Sequence, residues 1–121
     1  MLRVVHFELP TDDPERSAKF YRDVFNWKIE KWEGPVDYWL VTTGKDEEPG
    51  INGAIGRRDQ MMGYVNTIDV PSVDDFISKV EASGGEVVMS KQAVPGVGYV
   101  AYCKDTEGNI FGLMEEDPSA H

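Results

Sequence analysis

Hydrophobic and polar residues alternate from the start of the chain. Val5, Phe7 and Leu9 fall on one side of an extended segment, and Val4, His6 and Glu8 on the other, the two-residue period of a half-buried strand. The strand reading runs from Met1 until Pro10-Thr11-Asp12-Asp13 breaks it. Asp13 is placed to cap a helix, Pro14 suits its first position, and Glu15 complements its dipole. The spacing predicts a helix as far as Asn26, with Ser17, Phe20, Tyr21, Val24 and Phe25 as its buried stripe. Asn26 can end it in a left-handed conformation. Three β-rich runs follow: Trp27 to Trp32, Tyr38 to Thr43, and Ile51 to Arg58. The charged stretch Gly44 to Gly50 between the last two reads as a solvated loop.

The same order of elements then returns. Tyr64 to Val70 alternates as a strand, with Val65, Thr67 and Asp69 on one side. Ser72 can cap a helix carrying Val73, Phe76, Ile77 and Val80 at helical spacing, and Gly84-Gly85 stops it. Glu86 to Met89, Gly98 to Lys104 and Asn109 to Glu115 read as strands, the last two joined through Asp105-Thr106-Glu107-Gly108. The pattern is strand–helix–strand–strand–strand, twice, without compelling identity between the halves. It predicts an α+β fold of two βαβββ modules, about 1–59 and 60–117, with a polar tail at 118–121 that is expected to hang free, His121 disordered with it. The helices would lie on the outer faces, and the mixed sheets would curve around a cavity suited to a small molecule.

Composition narrows the function classes. The 121 residues carry 12 Lys plus Arg against 22 Asp plus Glu, a net charge of −10, and the basic residues are scattered. A nucleic-acid backbone would be repelled, so no nucleic-acid partner is expected. No apolar run is long enough to span a bilayer, and the chain start has no secretory pattern, so a cytoplasmic protein without membrane association is the expectation. Cys103 is the single cysteine. It allows no internal disulfide, and its place in a strand reads as an inert buried thiol.

The stretch His6-Phe7-Glu8-Leu9-Pro10-Thr11-Asp12-Asp13-Pro14-Glu15-Arg16, with Phe20-Tyr21 and Val24-Phe25-Asn26-Trp27, resembles the opening of glyoxalase-like proteins. So do Pro95-Gly96-Val97-Gly98 and Asp105 to Leu113 near the end. The duplicated plan is similar to that of the vicinal oxygen chelate superfamily of glyoxalases, bleomycin-resistance proteins and extradiol dioxygenases. The resemblance implies a homodimer that binds a small organic molecule. In metal-dependent members it also implies up to four His, Glu or Gln ligands from the first and last strands of each module, holding a divalent ion. Only His6 matches cleanly. Gly112 stands where metal-binding members have Glu, the corresponding place in the first module falls near Gly56, and that in the second module's first strand is Val65 or Thr67.

No cofactor is therefore expected, although a divalent metal held by His6, Glu8 and Asp69 is an alternative donor set. His6 and Glu8, two residues apart on one strand face, are the candidate catalytic residues, as an acid–base pair. Thr67 and Asp69 are the candidate ligand-binding residues. The same His and Glu could instead serve packing alone. Trp27, Trp32, Tyr38, Trp39, Tyr99 and Tyr102 could line a pocket or fill cores. Three functions stay open: a metal-free small-molecule binder, a metal-dependent lyase, isomerase or dioxygenase, and a structural or regulatory protein that kept only the fold.

Overall fold

The computed structural model describes residues 2–121, so Met1 of the expected first strand lies outside the described residues. The chain forms two compact units, one of residues 6–65 and one of residues 2–5 with 66–121.

In the first unit, β1 (Val4–Thr11) leads into α1 (Pro14–Phe25), followed by β2 (Lys28–Lys31), β3 (Tyr38–Thr42) and β4 (Asn52–Arg57). The strands lie side by side as β2-β3-β4-β1, with β1 parallel to β4 and the other pairs antiparallel. Asp13 accepts a hydrogen bond from the Arg16 N–H, and Asn26 closes α1 at φ 60°. One sheet face packs on the helix: Phe7, Ile29, Trp39, Val41 and Ile55 gather around Ala18. Since alternate residues point to opposite faces, His6 and Glu8 of β1, Ala54 and Gly56 of β4, and Tyr38 and Leu40 of β3 share the other.

The second unit repeats the plan with β5 (Val65–Asp69), α2 (Val73–Ala82), β6 (Glu86–Val94), β7 (Gly98–Lys104) and β8 (Ile110–Glu116), ordered β5-β8-β7-β6. Ser72 caps α2 through the Asp75 N–H. Val70, Val73, Ala101, Cys103 and Leu113 form the core beneath that helix. Just ahead of β1, Leu2 donates to the Asp69 carbonyl at 2.8 Å and Arg3 accepts from the Asp69 N–H at 3.0 Å. Asp105 folds the β7–β8 turn, where the N–H groups of Asn109 and Glu107 hold its carboxyl below the usual carboxylate range. The expected α+β fold of two βαβββ modules is the one observed.

Three local readings are corrected. The buried line of α1 is Pro14 and Ala18, with Tyr21 partly covered, whereas Phe20 and Phe25 are 56% and 55% exposed and Val24 is also exposed. Small side chains allow the helix backbone to approach the sheet, so the contact line follows Ala18 and leaves the bulky residues beside it. Strand β6 continues to Val94, past the expected Met89, through the polar run Ser90-Lys91-Gln92, and its pairing with β7 shifts register between Val87 and Met89 and between Met89 and Gln92. The tail does not hang free: Ala120 is buried, its carbonyl accepts from Gly96, and Asp117 donates to Val97.

Candidate functional site

The face of the first unit's sheet away from α1 holds a group of three polar side chains. Glu8 and Tyr38 belong to β1 and β3, which flank β4. They meet across that strand because its residues between them, Ala54 and Gly56, are small. The Tyr38 hydroxyl donates to Glu8 Oε2 at 3.0 Å, and its oxygen lies 3.0 Å from His6 Nε2. Tyr38 also stacks on the His6 ring at 6.5 Å between centroids, and Trp32 packs edge-on against Tyr38 at 6.0 Å. Glu8 is only 7% exposed, while His6 and Tyr38 are partly buried. Burial lowers the His6 pKa below its ordinary value, and the Glu8 charge partly opposes that shift.

Next to Tyr38, Asp37 takes the guanidinium of Arg57 at 3.0 Å and the ammonium of Lys31 at 3.5 Å. These partners hold its carboxyl below the usual range, the Arg57 hydrogen bond foremost. Asp37, one residue ahead of β3, is thereby tied to Arg57 at the end of β4 and to Lys31 at the end of β2.

The second unit places the other candidates differently. Thr67 is buried opposite Gly112 in the parallel β5–β8 pair, and Asp69 pairs with Met114. A Cβ built on Gly112 would stand 2.6 Å from Thr67 Oγ1, so the threonine fills the space a side chain at 112 would need. In the first unit, a Cβ on Gly56 would stand 2.7 Å from Met61 Sδ. Cys103 is fully buried, and burial pushes its thiol pKa up, with the Glu81 charge adding to it. A reactive thiolate needs the opposite environment.

A family model described as "Bleomycin resistance protein-like N-terminal" matches residues 3–44. The chain is 27% identical over 128 residues to a lactoylglutathione lyase of Arabidopsis thaliana, covering 97% of this chain and 45% of that protein. It thus spans less than half of that relative's length. A glyoxylase-like domain-containing protein of Didymella fabae is 25% identical over 115 residues, covering 88% of each. Among solved structures, methylmalonyl-CoA epimerase of Streptomyces coelicolor with 2-nitronate-propionyl-CoA superposes at a TM-score of 0.75 and 11% identity, over 100% of this chain and 99% of that one. The matching family model, these relatives and these solved structures all belong to the vicinal oxygen chelate superfamily. Members of this superfamily commonly use divalent metals, so the donors at the matching positions decide whether this chain fits that use. His6 is a donor, but Gly112 and Gly56 have none to offer, and their surroundings are filled by Thr67 and Met61. Among the described residues no group of three or more His, Cys, Asp or Glu is placed to hold a metal ion.

The first unit does bring together residue types that acid–base chemistry uses. His6 and Glu8 are joined through a hydroxyl that sequence reading placed only among possible pocket aromatics. Tyr38 lies 32 residues from His6 and 30 from Glu8. Its one sequence signal was its place at the start of the β3 run. Of the other aromatics, Trp39 is in the core with its indole N–H on Glu15 at 2.7 Å, and Trp27 stacks on Tyr21.

Proposed function

We propose that the protein binds a small organic molecule on the face of the first unit's sheet that carries His6, Glu8 and Tyr38, without the metal quartet of that superfamily. The observation that carries this reading is the chain of two 3.0 Å hydrogen bonds from His6 through Tyr38 to the buried Glu8. Burying a carboxylate in a sheet is costly unless it is hydrogen-bonded. A neutral imidazole backed by such a carboxylate can accept a proton and have the resulting charge stabilised through the intervening hydroxyl. The names of the similar proteins support a small-molecule ligand: one is a lactoylglutathione lyase, another an epimerase solved with methylmalonyl-CoA. Thr67 and Asp69 are kept as secondary candidates for ligand contact.

The test is a fragment screen read by amide chemical shifts. Binders are expected to move resonances of β1 and β3, and His6→Ala is expected to weaken them about tenfold or more, equivalent to about 1.4 kcal/mol, while the amide spectrum stays folded. Fragments that bind His6→Ala and Tyr38→Phe as well as the wild type would defeat this assignment.

A further inference from the structure

Two atoms of the His6 ring have unlike surroundings. Nε2 faces the Tyr38 hydroxyl, and Nδ1 makes no hydrogen bond among the described residues. No buried side-chain nitrogen or oxygen among those residues lacks a partner, so Nδ1 is not sealed inside the protein. A tyrosine hydroxyl has one hydrogen, and here it is given to Glu8 Oε2. The same oxygen can then face Nε2 only as an acceptor, so Nε2 must carry the ring's hydrogen.

We propose that Tyr38 is a positioning residue that fixes His6 as the Nε2–H tautomer, so that the lone pair of Nδ1 is presented to a ligand bearing an N–H or O–H donor. This rests on the small-molecule reading above and names the atom through which it works. Glu8 takes part at one remove: its carboxylate claims the Tyr38 proton and so dictates the direction of both hydrogen bonds. A ligand with acceptors alone would meet lone pair against lone pair at Nδ1. A ligand with a donor finds its complement, and a proton taken there leaves an imidazolium whose charge faces Glu8 through Tyr38. The net charge of −10 favours the cationic members of that ligand class.

Nitrogen NMR of the ring tests this directly, because the chain has only two histidines and His121→Ala assigns them. At neutral pH, long-range proton–nitrogen correlations of the free wild-type protein are expected to place the hydrogen of His6 on Nε2. Tyr38→Phe removes the acceptor and is expected to give a tautomer mixture with the amide spectrum still folded. A wild-type hydrogen on Nδ1, or an unchanged tautomer in folded Tyr38→Phe, would overturn the positioning role. Should that variant fail to fold, the wild-type tautomer alone decides. Benzylammonium and benzoate then serve as donor-bearing and acceptor-only probes at millimolar concentration. A saturable shift of Nδ1 with benzylammonium alone is expected. A saturable shift with benzoate, or none with benzylammonium, would overturn the ligand class. The tautomer is read without ligand, so its failure is distinguishable from failure of the binding reading.

Discussion

At the scale of single residues, the sequence located two members of the polar group and missed the third. His6 and Glu8 were legible because strand alternation alone puts them on one face. Tyr38 was not, because its partnership depends on β3 and β1 both pairing with β4 and on the small side chains of Ala54 and Gly56 between them. The pH dependence of stability follows from His6. Burial lowers its pKa in the folded state, so the unfolded chain binds more protons as pH falls through the ordinary value of about 6.5. Stability contributed by the neutral ring is therefore full above that pH and declines below it. Urea unfolding of wild type and His6→Gln across this range is expected to show a shallower acid decline in the variant. Gly112 gives a second residue-scale prediction. Gly112→Ala would push a methyl to 2.6 Å from Thr67 Oγ1 and is expected to cost about 1–3 kcal/mol. Adding Thr67→Ala is expected to cost less than the two changes summed, since both occupy one space. Additive losses in denaturant titrations would show that the two do not compete.

At the scale of elements, caps and turns were the most legible features because each acts within a few residues. Asp13, Asn26 and Ser72 all sit where their side-chain and backbone chemistry predicted. The face a helix buries was less so. Large apolar residues at helical spacing marked Phe20, Val24 and Phe25, yet closest approach to the sheet runs along Pro14 and Ala18. Mutations on α1 should sort accordingly. Phe20→Ser and Val24→Ser are expected to change stability by less than about 0.5 kcal/mol each, while Ala18→Leu is expected to cost about 1–3 kcal/mol by overpacking. Thermal unfolding of the purified variants separates these, and a large loss from Phe20→Ser would mean that its exposed ring is covered by another chain in solution.

At the scale of the whole molecule, a metal centre of the superfamily type would need donors from several strands, and the chain supplies glycine at two of those places. Elemental analysis after incubation with nickel, zinc, manganese or ferrous iron and desalting is expected to find well under one equivalent retained. Near-stoichiometric metal that disappears in His6→Ala would revive the metal-dependent alternative. The sequence by itself determined the element order, the caps and the duplicated βαβββ plan, because alternation, helical spacing and turn chemistry are local and repeat along the chain. It also determined that Gly112 and Gly56 bring no metal donor, since a missing side chain is a property of the residue. Only the tertiary structure decided that Thr67 and Met61 fill the space beside those glycines and that Tyr38 joins His6 to Glu8. Those facts depend on which distant strands lie side by side and in what register, and no local pattern encodes a register between segments some thirty residues apart.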